Sequence, residues 1–282
     1  MQISEITPID SNYPDSLREI PSVPKTLYFL GELPNRPTVA IVGARRPTEY
    51  GKRVTYQLAS ELASAGIAIV SGLAYGLDSI AHTGALDAGG QTIAVLAGGL
   101  HKIYPAGHRN LAIRILQSGG GIVSEYPEGM PSLRQYFPAR NRIVSGLSLA
   151  VIIPEAEASS GSLITAKFAL NQNRLVMAVP GNITSPTSAG PNNLIRSGAI
   201  PVTNSSDVLA ALDLTTADAK PTAQPKSKEE ALILELLEKG INSSEDLIQA
   251  SELGASQFAN VITLMEITGK VRNLGAGQWV AR

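Results

Sequence analysis

The run "FPARNRIVSGLS" places an aromatic ring at Phe137, guanidinium groups at Arg140 and Arg142, and a carboxamide at Asn141 within six residues. Arg134 and Tyr136 stand just ahead, with no acid interleaved. Guanidinium forks bind phosphate, and an aromatic face accepts a nucleobase. Single-stranded nucleic acid needs that combination, and stacking contributes about 1–3 kcal/mol per base. The plainer alternative is a helix start whose arginines pair with Glu125, Glu155 or Glu157, leaving Asn141 and one arginine structural.

Three other stretches carry chemistry. In "VGARRPTEYG", Gly43 and Ala44 make a turn and Arg45 and Arg46 precede a helix N-terminus. Backbone amides, helix dipole and guanidinium together form an anion site. The alternative is a turn whose arginines cap neighbouring helices. The dinucleotide pattern G-x-G-x-x-G is absent, and "VSGLAYG" offers no acid for a ribose. There, Ser71 and Gly72 form a tight turn, and Asp78 and His82 share a helix face. No nucleophile accompanies that pair, so a structural hydrogen bond is the favoured reading. In "PEAEASSGSLITA", Ser160, Gly161 and Ser162 suit either a phosphate or ordinary helix capping.

Short apolar runs alternate with helical segments from Thr38 to Leu212: "TVAIVGA", "IAIVSG", "TIAVLAGG", "GIVSEYP", "SLAVIIPEA", "RLVMAVPG" and "AIPVT". This rhythm predicts α/β architecture: an extended Rossmann-like parallel sheet with helices on both faces. Ligands of such sheets bind beyond the carboxyl ends of the strands, where all four stretches fall. Residues 1–35, with five prolines, read as an arm lying over the core that includes a short strand in "TLYFLGEL". The core spans 36–212 and a polar linker 213–225. Residues 226–282 show three helices and a hairpin, the winged-helix pattern.

With 282 residues, 44% hydrophobic and 17% charged, the chain has material for a sizeable core. It has no cysteine, and His82, His101 and His108 lack metal-ligand spacing. No metal or cofactor is expected. The acidic, proline-broken N-terminus is unlike a signal peptide, and no apolar run suits a membrane, so a cytoplasmic protein is expected. Net charge is −1, yet residues 36–212 hold 14 Lys and Arg against 9 Asp and Glu. The C-terminal 226–282 hold 6 against 8. A polyanion therefore belongs on the core.

Seven motifs in order give the chain a resemblance to the DprA/Smf family of DNA-processing proteins of natural transformation. They are "VGAR" with "YG", "SGLAYGLDSIAHTGAL", "IAVLAGGL" with "YP", "GIVSEYP", "FPARNRIVSGLS", "SGSLITAKFAL", and "VPGNI" with "GPNNLIRSGA". The resemblance runs from about Tyr13 to Val202. It implies an extended Rossmann core that binds single-stranded DNA, dimerises, and helps load a RecA-type recombinase, without enzymatic activity. By position, the family's G-S-R turn falls on Gly43, Ala44 and Arg45, with alanine in place of serine. Its basic residue falls on Arg134, its stacking aromatic on Phe137, and its R-N-R on Arg140, Asn141 and Arg142. Many members carry a helical domain of sterile-alpha-motif type before the core, for which the residues ahead of this core are too few. The acidic winged helix is expected to be an accessory module.

The rival expectation is a nucleotide-binding hydrolase of the phosphoribohydrolase or lysine-decarboxylase-like type. Those carry P-G-G-x-G-T-x-x-E; the comparable "EASSGSLITAKFA" has no glutamate after Thr165. A transcription factor reading DNA through "GASQFANVITLMEITGK" is disfavoured by a helix with no arginine and only a terminal lysine.

Overall fold

The apolar runs become strands because they are covered on both faces. In the computed structural model, residues 3–33, 36–214, 227–251, 253–267, 270–275 and 277–281 are described. They divide between two compact units, Met1–Thr216 and Ala217–Arg282. Apart from Asp213 and Leu214, the expected linker lies outside the described residues.

The sheet of the first unit contains β1 (Ser4–Ile6), β2 (Leu27–Gly31), β3 (Thr38–Ile41), β4 (Ala68–Ser71), β5 (Thr92–Val95), β6 (Gly121–Ser124), β7 (Ala150–Ile153), β8 (Leu175–Ala178) and β9 (Ile200–Pro201). Its spatial order is β1-β2-β6-β5-β4-β3-β7-β8-β9. Strands β3 to β9 pair in parallel, and every residue of β3 to β7 is buried. The order reverses between β3 and β7, which is the switch point where such sheets open a crevice.

The helices of this unit are α1 (Asp15–Arg18), α2 (Glu49–Ser64), α3 (Leu77–Asp87), α4 (Arg109–Gln117), α5 (Tyr136–Gly146), α6 (Ser162–Asn171), α7 (Ala189–Arg196) and α8 (Ser205–Ala211). Strand alternation assigns them to faces. Val39, Ile41 and Ile69 pack with Leu58 and Leu62 of α2 and Ala81 of α3. Ala40, Val70 and Val151 pack with Ile143 and Val144 of α5 and Ala166 of α6.

The N-terminal segment differs from the expected overlying arm. It joins the sheet: β2 pairs antiparallel with β6, and β1 with β2. Between them, Tyr13, Leu17 and Ile20 are buried in the cluster that holds Ile143 and Val144. A methyl group at Gly146 would meet Leu17 Cδ2 at 2.8 Å, so α5 and this segment are closely fitted. The proline-rich segment is thus a wall behind α5.

The second unit has α9 (Lys228–Glu238), α10 (Ser244–Ser251), α11 (Ala255–Ile267), and a hairpin of β10 (Val271–Gly275) and β11 (Gln278–Ala281). Ile233, Leu247, Phe258, Met265 and Trp279 form its core. Lys270 is buried against Glu230. Trp279 Nε1 donates to Ser244 Oγ at 2.8 Å. Three helices closed by a hairpin make a winged-helix arrangement. Among the described residues, no helix is long and apolar enough to cross a membrane.

Leu17 is fully buried. Leu17→Ala should therefore cost about 2–5 kcal/mol, read as a lowered urea midpoint at unchanged slope. An unmoved midpoint would show that the N-terminal segment is not part of the cooperative core.

Candidate nucleic-acid interface

At the switch point the segments after β3, β4 and β7 and the start of α5 enclose a cleft of about 880 Å³. Gly43, Ala44, Arg45, Arg46, Gly72, Arg134, Phe137, Arg140, Asn141, Ser160, Gly161 and Ser162 line it. Ser71 and Arg142 do not. Four stretches far apart in sequence thus meet in one place. Parallel strands bring their carboxyl ends to one edge, and β3 and β7 diverge there.

The rim is cationic. Arg45, Arg46 and Arg134 are exposed, and none of the ion pairs among the described residues engages them. The lining also holds two acids, Asp78 in the floor and Glu157. The Arg45 guanidinium lies 5.8 Å from the centroid of the half-buried Phe137 ring. Such a contact holds ring and cation together without consuming the guanidinium's donors. Tyr104, absent from the sequence reading as a site residue, also lines the cleft, edge-on to Phe137 at 5.7 Å. Its signal was an exposed aromatic just past the end of β5, at the same sheet edge. Helix α6 begins at the cleft, where the Ser160 hydroxyl accepts from the Ser162 amide at 3.4 Å and lies 2.8 Å from the Ser162 hydroxyl, and the Leu163 and Ile164 amides donate to the Ser160 and Gly161 carbonyls, so capping occupies these groups.

Arg140 forms the floor. It is 4% exposed, and its Nη1 donates to Gly72 O at 2.7 Å and to Val95 O. Its Nε donates to Asn141 Oδ1 at 3.2 Å, and Asn141 Nδ2 donates to Gly161 O. Burial draws the guanidinium down to about 10, with the Asp78 carboxylate pulling the other way. Asp78 accepts from Gly72 N at 3.1 Å, and its own pKa is raised by burial against the opposing pull of Arg140. A side chain at Gly72 would meet the Arg140 guanidinium at 2.5 Å, so only glycine fits there.

Several expectations are corrected by these contacts. Arg140 and Arg142 are not a phosphate-holding pair. Arg140 spends its donors on carbonyls, and Arg142 is forked onto Glu125 at 2.8 and 2.6 Å. Gly43 does not make room for a ligand: the space its Cβ would fill is taken by Leu77 and the Glu155 carbonyl. The Ala44 amide is not free either, since it donates to Glu155 O at 2.8 Å. Ser71 is buried and donates to Ile41 O at 2.7 Å. His82 does not bond Asp78; its Nδ1 lies 2.7 Å from Thr92 Oγ1, and burial lowers its pKa to about 3. Glu155 holds neither arginine; it accepts from Thr48 N and Oγ1 and so pins the start of α2.

The family model for DNA recombination-mediator protein A matches residues 4–213, and that for the DprA winged helix domain matches 217–277. This chain belongs to the DprA/Smf family. Protein Smf of Synechocystis is 46% identical over 213 residues, covering 73% of this chain and 53% of that relative. The chain spans about half the length of the curated relatives it matches at this level. The crystal structure of DNA processing protein A from Streptococcus pneumoniae is 40% identical, with TM-score 0.70 over 74% of each chain. That of DNA processing protein A from Helicobacter pylori, described for its single-stranded DNA binding mode, is 35% identical. It has TM-score 0.67 over 75% of this chain and 95% of that one.

Removing one partner of a buried charge network leaves the rest uncompensated. Arg140→Ala should cost about 3–5 kcal/mol in urea unfolding, whereas Arg46→Ala at the rim should cost under about 0.5 kcal/mol. Equal midpoints for the two variants would refute the division into floor and rim. The folded pKa of His82 lies below its ordinary 6.5, so the unfolded chain takes the proton first. Its stabilisation is full above 6.5 and drains away as pH falls toward 3. The slope is about 1.4 kcal/mol per pH unit. His82→Gln should flatten the acid limb of stability against pH; an unchanged limb rules this out.

Proposed function

We propose that the protein is a DNA-processing protein that binds single-stranded DNA in the switch-point cleft and works without turnover. The observation that carries this reading is the cleft rim. Three arginines that enter no ion pair among the described residues line the cleft together with a half-exposed aromatic pair. Arg45, Arg46 and Arg134 take phosphates, and Phe137 takes a base. The H. pylori neighbour, described for single-stranded DNA binding, supports the same choice of ligand. Phosphate contacts carry no sequence information, so binding is largely sequence-independent and salt-sensitive. In keeping with the family, the bound strand is protected and passed to a RecA-type recombinase by a cytoplasmic homodimer.

The hydrolase reading is weaker. Position 168, three residues after Thr165 where that signature places its glutamate, is a half-buried phenylalanine, and Asp78 is tied to backbone amides. The winged helix is an accessory module on this reading. The exposed residues of α11 include Ser256, Gln257, Asn260 and Thr263, and the helix contains no lysine or arginine to meet a phosphate.

Arg134→Glu and Phe137→Ala are the decisive variants. Each should weaken binding to labelled oligothymidylate by about 1–3 kcal/mol while leaving the thermal midpoint in place. Arg134→Glu should also reduce the slope of log affinity against log salt by about 0.7, the signature of one lost phosphate contact. Wild-type affinity in both variants, or equal affinity for single strand and duplex, would overturn the assignment.

A further inference from the structure

Tyr104 is 51% exposed, although an aromatic ring gains by burial. Two other exposed tyrosines are tied down through their hydroxyls, Tyr50 to Pro180 O at 3.0 Å and Tyr56 to Asp87 at 3.1 Å, and Tyr75 packs its ring edge-on against His108 at 4.6 Å. Among the described residues the Tyr104 hydroxyl has no such partner. Its ring meets Phe137 edge-on, with the two planes 65° apart. The loop that carries it is cationic. Between Asp87 and Glu125 the sequence contains no acid, while Lys102 and Arg109, exposed on either side of Tyr104, enter no ion pair among the described residues.

Two rings inclined at 65° cannot stack on the two sides of one flat base. They can each take a base of their own. We propose that Tyr104 is a second stacking platform for single-stranded DNA, so that adjacent bases part, one on Phe137 and the next on Tyr104. The strand turns between the two platforms and continues over the 101–109 loop, where Lys102 and Arg109 meet its phosphates. This inference rests on the single-stranded DNA reading of the cleft. It goes beyond it in naming where the strand leaves the cleft and why it must bend there.

The test compares fluorescence anisotropy titrations at low salt with two probes of equal length. One is oligothymidylate, and the other carries the same phosphates with every base replaced by an abasic tetrahydrofuran. Tyr104→Ala should weaken oligothymidylate binding about tenfold and leave abasic binding unchanged. Tyr104→Phe, which keeps the ring, should bind both probes like wild type. If Tyr104→Ala binds oligothymidylate like wild type while Phe137→Ala does not, the second platform is refuted and the cleft reading stands. If Tyr104→Ala weakens both probes equally, the ring is a strut for the loop and the proposal fails. If Arg134→Glu and Phe137→Ala also bind normally, the cleft reading fails and takes this inference with it.

Discussion

A permanently charged group buried under the sheet's open edge organises this molecule. The Arg140 guanidinium donates to the carbonyl that begins the turn after β4, at Gly72, and to the one that ends β5, at Val95. Where these two neighbouring strands end, the ladder stops, and buried carbonyls there need donors. One side chain from α5 satisfies two of them. The same contact fixes where α5 starts. That start places Phe137 over the cleft, 6.0 Å from the Arg140 guanidinium and 5.8 Å from that of Arg45. Desolvating such a charge is costly. Asp78, itself bonded to the Gly72 amide, offsets part of that cost. The floor of the cleft and its functional ring therefore share a single anchor.

Much of the fold was legible in the sequence. Fully buried parallel strands read as unbroken apolar runs, and the four basic or glycine-rich stretches fell at strand ends where the sheet's topology gathers them. Helix α5 was legible only as the plainer alternative, a helix start with an arginine paired to Glu125. Its inward face carries Arg140 in place of an apolar residue, so the hydrophobic period is broken. Pro138 falls in its first turn, where proline is tolerated but looks like a loop signal. Gln135 gives it no side-chain cap. Of the N-terminal strands, β2 falls in the expected "TLYFLGEL", whereas the three-residue β1 was hidden, and so was the pairing of both with the main sheet. Which arginines face solvent was not legible at all. Arg134, Arg140 and Arg142 look alike on paper, yet one is exposed, one lies under the sheet edge, and one is forked onto Glu125. Direction of projection, not composition, separates them.

A chain of net charge −1 can still concentrate positive potential where it matters. Three of the acids near the cleft are spent on structure, and Glu157 on its lining is exposed. Glu125 holds Arg142, Glu155 caps α2, and Asp78 binds backbone amides. Their charges are neutralised or turned inward, which leaves Arg45, Arg46 and Arg134 facing water. Within ten residues arginine serves carbonyls at Arg140, a carboxylate at Arg142 and solvent at Arg134, because the fork geometry suits several acceptors.

The lone indole has a practical consequence. Trp279 is the chain's single tryptophan, and it sits in the core of the second unit with its Nε1 bonded to Ser244. Emission excited at the red edge of the absorption band reports the winged-helix module alone, free of signal from the larger unit. Circular dichroism is dominated by the larger unit's many helices. Followed together during denaturation, the two optical signals separate the melting of one module from that of the other without cutting the chain.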